Sequence, residues 1–132
     1  MMVFADTSAL YALLDTANMA HASAAAAWEG LQRERDGLVT TSYVVLETFS
    51  LLQHRLGIPA ARDFAEEIAP LLTVSGVAED EHQSAVAMVL AANRRDLSLV
   101  DCVSFEAMRR LGIRRAFALD EHFRDQGFEV VP

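Results

Sequence analysis

Lysine is absent from the 132 residues, so all 11 Lys-plus-Arg positions are arginine. Against them stand 19 acids, for a net charge of −8. Taken alone, that balance argues against a nucleic-acid partner, whose phosphates reward a basic surface. Cysteine occurs once, as Cys102, which excludes an internal disulfide and any fold element that needs an oxidising compartment. Nor do the four histidines and one cysteine fall at zinc-ligand spacing. No apolar run approaches the roughly 18 to 20 residues that cross a bilayer; AVAMVLAA (85–92) is typical of the longest. No basic stretch precedes the first apolar residues, so no export signal or membrane anchor is expected and the cytoplasm is the expected location. Proline (3) and glycine (6) are scarce, and no linker, solenoid repeat or low-complexity segment appears beyond the alanines at 24–27.

What is present suits one compact domain over residues 1–132, with 52% hydrophobic and 23% charged residues. Val3 to Ala5 reads as a short strand running into Asp6, Thr7 and Ser8, all good helix caps, and then a helix to about Asp15. Helices are predicted over 21–36, 42–57, 59–72, 79–95, 102–112 and 121–127, and strands over 38–41, 72–77, 97–101, 115–120 and 128–131. In the 42–57 helix, Val45, Phe49, Leu52 and Leu56 form the apolar stripe. Trp28, Phe49 and Phe64 are assigned to the core. Strands alternating with helices imply an α/β fold with a parallel sheet covered on both faces.

Three times an apolar segment meets an acid where a helix begins: FADTSAL at Asp6, SLVDCVSF at Asp101 and FALDEHF at Asp120. Taken singly, each is read first as a cap worth about 1 kcal/mol. Together they admit another reading, because the carboxyl ends of parallel strands line one crevice and can gather acids remote in the chain. Glu47 shares a helix face with Tyr43, Ser50 and His54, and that face is either solvent or crevice. Converged carboxylates repel one another unless protons or a cation neutralise them. An oxygen-only donor set points to Mg²⁺, with Mn²⁺ as the alternative, rather than Zn²⁺.

DTSAL, TTSYVVLETFSLL and LSLVDCVSFEAMRRLGIRRAFALDEHF, in that order and spacing, resemble the PIN-domain ribonucleases, above all the VapC-type toxins of bacterial toxin-antitoxin pairs. The resemblance implies a three-layer α/β/α domain with a central, mainly parallel sheet. It implies that Asp6, Glu47, Asp101 and Asp120 are the catalytic, metal-holding acids, with Thr7 or Ser8 and Ser104 supporting them through hydrogen bonds. The activity implied is Mg²⁺-dependent cleavage of RNA that leaves a 5′-phosphate and a 3′-hydroxyl. The implied partners are a cognate antitoxin laid over the apolar helices around Tyr43 to Leu72, and a second copy of the chain in a homodimer.

Alternatives within the same fold are a housekeeping RNA-processing nuclease and a non-catalytic interaction module. A receiver domain is disfavoured because its essential lysine is missing, and a dehalogenase-type phosphatase because Ser8 stands where a second Asp is needed. Seven arginines from residue 94 onward (Arg94, Arg95, Arg109, Arg110, Arg114, Arg115 and Arg124) are candidates to line the crevice and meet phosphates. His21, His54, His82 and His122 are read as surface or supporting residues, Asp96 as a solvated acid, and Cys102 as a small buried thiol.

Overall fold

The computed structural model describes residues 1–132. Five strands, β1 (Met2–Ala5), β2 (Gly37–Thr41), β3 (Thr73–Ser75), β4 (Arg115–Phe117) and β5 (Glu129–Val131), form one sheet in the order β3-β2-β1-β4-β5. Every pairing is parallel. The helices are α1 (Thr7–Leu14), α2 (His21–Arg33), α3 (Ser42–Leu56), α4 (Ile58–Asp63), α5 (Glu79–Ala92), α6 (Leu99–Leu111) and α7 (His122–Asp125). A π turn (Phe64–Ile68) and a 3-10 turn (Ala69–Leu71) extend α4, so the single helix predicted over 59–72 is broken near Pro70, which donates no backbone hydrogen bond.

Two aromatic residues separate the three layers. Phe4 pairs in register with Ala116 and Ala5 with Phe117, so the rings of Phe4 and Phe117 leave opposite faces of the pleat. Phe117 meets Trp28 of α2 at 5.8 Å between ring centroids. On the other face Phe4 meets Phe123 of α7 at 6.4 Å, and Phe123 meets Phe105 of α6 edge-on at 5.0 Å. Val3, Phe4 and Ala5 are consequently fully buried, as expected of a strand covered on both sides.

Two predictions of helix and strand need correction. The stretch 97–101 is the entry of α6 and not a strand. Ser98 caps that helix, accepting from the Asp101 N–H at 3.0 Å, while the Asp101 carboxylate accepts from the Ser98 N–H at 3.2 Å. This reciprocal capping box outweighs a five-residue apolar run, which by itself does not separate strand from helix. Similarly β4 ends at Phe117, and Asp120 lies in the loop beyond it.

The buried stripe of α3 also differs from the predicted one: it runs through Val44, Thr48 and Leu52, while Phe49 (36%) and Leu56 (40%) stay exposed. Thr48 can occupy the core because its hydroxyl donates to Thr7 Oγ1 at 3.0 Å. Trp28 and Phe64 are buried as expected.

The Phe105–Phe123–Phe4 cluster clamps α6 and α7 to the sheet, with Phe105 one helical turn after Asp101. Truncation in Phe105→Ala is expected to cost about 3 to 5 kcal/mol in urea unfolding; a loss below about 1.5 kcal/mol would show that the cluster does not hold these helices.

Candidate metal centre

In the order β3-β2-β1-β4-β5, successive strands are added on one side of β1 and then on the other, so a crevice opens at the carboxyl ends of β1 and β4. Asp6 follows the last residue of β1, and its N–H donates to the carbonyl of Phe117, the last residue of β4, at 3.0 Å. The side chain caps α1: Asp6 Oδ2 accepts from the Ser8 N–H at 3.1 Å and from the Ser8 hydroxyl at 2.6 Å. That hydroxyl in turn accepts from the Leu119 N–H at 2.8 Å, which secures the loop carrying Asp120. Asp120 Oδ1 accepts from the His122 N–H at 2.9 Å. Ligand atoms of Asp101, Asp120 and His122 lie within 4.8 Å of one another.

Each of the three aspartates is thereby held by one oxygen. Asp6 Oδ2, Asp101 Oδ2 and Asp120 Oδ1 accept from the protein, while Asp6 Oδ1, Asp101 Oδ1 and Asp120 Oδ2 accept nothing from it. Asp6 is 3% exposed and Asp101 8%. Burial above all, against the lowering effect of Ser8 and with a smaller contribution from the charges of Asp101 and Asp120, pushes the Asp6 carboxyl up to about 7. Asp101 is raised as well, first by burial and then, after the opposing hydrogen bond from Ser98, by Asp120. Carboxylates with unused lone pairs, one of them driven toward protonation for lack of a compensating charge, fit a divalent cation.

The other sequence-predicted residues are placed less uniformly. Glu47 is half-buried on α3, beside Thr48; like Asp6, it is not among the three residues whose ligand atoms lie within 4.8 Å of one another. Of the face it shares, Tyr43 is also half-buried, whereas Ser50 and His54 are exposed. Thr7 directs its hydroxyl to the Val44 carbonyl (3.5 Å), and Ser104 directs its own to the Val100 carbonyl (2.8 Å). Ser8 is thus the one hydroxyl of the three that bonds to an acid. Cys102 is a buried free thiol.

Most of the arginines lie elsewhere. Arg114 and Arg115 sit at the start of β4, the opposite end of the sheet, and Arg115 pairs there with Asp36 (3.7 Å) and Glu129 (3.6 Å). Arg109 and Arg110 close α6, at the far end from Asp101. In a parallel sheet the residues that enter a strand and those that leave it are separated by its full length, so sequence proximity to Asp120 did not bring these four to the crevice.

His122 is the residue that sequence reasoning undervalued. Its Nε2 lies 2.9 Å from the Asp96 carbonyl, which only accepts, so Nε2 is the donor in this contact. The imidazole thus ties the α5–α6 loop to the loop of Asp120. An Asp two residues before a His in a loop has no zinc spacing, and only the return of the α5–α6 loop reveals the contact.

A family model described as PIN domain matches residues 3–129. The 23S rRNA-specific endonuclease VapC20 of Mycobacterium tuberculosis is 33% identical over 133 residues, covering 99% of this chain and 99% of its own. The crystal structure of M. tuberculosis VapC20, described as a sarcin-ricin loop cleaving toxin, matches with a TM-score of 0.84 at 32% identity, over 98% of this chain and 99% of that one. FitAcB from Neisseria gonorrhoeae, at 13% identity, shares the fold with a TM-score of 0.71 over 99% and 97% of the two chains.

The raised Asp6 carboxyl fixes a direction for stability against pH. With its folded value near 7 and the ordinary value near 3.8, folding takes up a proton between the two. The contribution is fully present below the lower value and is lost as pH rises through the upper one. With divalent ions chelated, the melting temperature is expected to rise as pH falls from 8 to 5, and Asp6→Asn to flatten that rise and stabilise the protein at pH 8. An unchanged profile in Asp6→Asn would remove Asp6 as its source.

Proposed function

The chain belongs to the PIN-domain family, in its VapC-type toxin branch, and from that premise we propose that it is a Mg²⁺-dependent endoribonuclease, the toxin of a toxin-antitoxin pair, whose substrate is 23S ribosomal RNA. The observation that supports this reading is the approach of Asp101 and Asp120, whose ligand atoms lie within 4.8 Å of each other, with Asp6 tied to the loop of Asp120 through the Ser8 hydroxyl. The substrate follows the full-length relative with that specificity.

Asp6, Asp101 and Asp120 would hold the ion, each with one oxygen that accepts nothing from the protein, and Glu47, carried over by resemblance, would complete the acids from α3. When bound, Mg²⁺, or Mn²⁺ in its place, lowers the pKa of a water and steadies the leaving oxygen of the phosphodiester during in-line attack. The chain's own contribution is to fix its ligands in advance. Ser8 restrains one oxygen of Asp6, the Ser98 amide one of Asp101, and the His122 amide one of Asp120, so each carboxylate presents its other oxygen without reorganising. By resemblance the products carry a 5′-phosphate and a 3′-hydroxyl.

The antitoxin is assigned to the exposed apolar side chains of α3 and the start of α4, where Leu46, Phe49, Leu56 and Ile58 face solvent. A homodimer and a cytoplasmic location complete the proposal; no helix is long and apolar enough to cross a membrane.

Purified protein should cut 23S rRNA in isolated ribosomes with Mg²⁺ and stop on addition of EDTA. Folded Asp6→Asn and Asp101→Asn variants are expected to lose at least about 100-fold in kcat, the scale of removing a metal ligand or its support. Parent-like cutting by either variant would overturn the assignment.

A further inference from the structure

A chain of net charge −8 has few cations to offer a polyanion; beside Arg124 of α7, which pairs with Glu121 at 3.8 Å, two of them share the turn after α5. The helix α5 ends at Asn93, whose φ of 53° is left-handed, and the chain there leaves the helix axis. Arg94 and Arg95 follow, both exposed, in a turn closed by the Leu97 N–H on the Arg94 carbonyl at 3.2 Å. With Val89, Leu90 and Asn93 they line a groove of about 390 Å³. The two other concavities, about 220 and 290 Å³, lie at the opposite end of the sheet around Arg114.

Three short steps join this groove to the candidate metal centre. Arg94 Nη2 is 2.9 Å from Asp96 Oδ2, Asp96 Oδ2 is 3.7 Å from His122 Nε2, and His122 Nε2 is 4.0 Å from Asp120 Oδ1. Arg94 gives Nε (3.2 Å) and Nη2 (2.9 Å) to Asp96, a bidentate grip on one edge of the guanidinium. A guanidinium has five N–H donors, so the edge made by Nη1 and the second Nη2 hydrogen remains for a second planar acceptor pair. Asp96 holds that edge in place in advance. Arg95 makes no ion pair within the chain, so its whole charge is available.

We propose that this groove is the track for the RNA sugar-phosphate backbone flanking the cleaved bond, with Arg94, oriented by Asp96, and Arg95 each contacting a phosphate. The proposal rests on the ribonuclease reading and adds to it where the substrate lies. It also eases the conflict between the net charge and a nucleic-acid substrate: acids on remote faces lie beyond a screening length of about 8 to 10 Å, and of the two groove arginines only Arg94 is paired, by one edge, with an acid of the chain.

Backbone contacts are independent of sequence, so binding can be measured with any fluorescently labelled RNA stem-loop, by anisotropy between about 50 and 200 mM salt. The Arg94→Ala/Arg95→Ala chain is expected to bind about tenfold more weakly, with a slope of log K against log salt smaller by roughly 1.5, as two lost phosphate contacts require. Arg33→Ala/Arg114→Ala removes the same charge from exposed positions at the strand-start end and should match the parent. Should the two double variants behave alike, the groove is not the track, and an acidic protein segment becomes the occupant of those arginines. Cleavage by the parent chain is measured separately: no EDTA-sensitive cutting of the RNA overturns the ribonuclease reading, whereas such cutting alongside indistinguishable double variants overturns only the track.

Discussion

The Ser8 hydroxyl donates to Asp6 at 2.6 Å and accepts from the Leu119 amide at 2.8 Å, so one oxygen fixes the end of β1 against the loop that follows β4. Two strands far apart in the chain but adjacent in the sheet thus bring Asp6 and Asp120 to one crevice, and the register of β1 on β4 determines how far each acid projects. Asp101 arrives by another route, on the first turn of α6, where its capping of the helix and its place in the cluster use the same side chain. Capping and metal holding were competing readings of these acids in the sequence. In the folded chain they are compatible, because a cap uses one carboxylate oxygen and leaves the other.

That arrangement opposes stability. A carboxyl pushed to about 7 by burial is one the fold destabilises when it is charged, and its acidic neighbours add to the effect. The hydrogen bonds from Ser8 offset only part of that cost. Functional sites commonly concentrate such unfavourable charge, which a bound cation or substrate then relieves. The surrounding packing is correspondingly firm: Val3, Phe4 and Ala5 of β1 are fully buried, and Phe105 and Phe123 lie behind the loops that carry the acids.

Charge is distributed along the sheet axis as well. Several arginines gather where β4 begins and α6 ends, the latter a favourable position for cations at a helix C-terminus, and they pair there with Asp36, Glu129 and Glu81. Arg94 and Arg95 stand at the acidic end. The mean charge of the chain therefore says little about what its crevice can accept, since exposed charges beyond a Debye length are screened from one another.

Much of this was legible in the residues themselves. The alternation of short apolar runs with helical segments implied a covered parallel sheet, and Asp6 and Asp120 after apolar runs pointed to its carboxyl edge, whereas Asp101 stands on the first turn of α6 and not at a strand end. The helical start at Ser98, the exposure of Phe49, the remote place of Arg109 to Arg115 and the approach of His122 to Asp120 were not legible. Each depends on which element packs against which: Thr48 is core only because Thr7 faces it, and His122 joins the cluster only because the α5–α6 loop returns to accept its hydrogen bond. Sequence determined most of the elements and named the candidate acids, whereas the tertiary structure alone decided which oxygens face one another, since convergence is a property of distances in space and not of order along a chain.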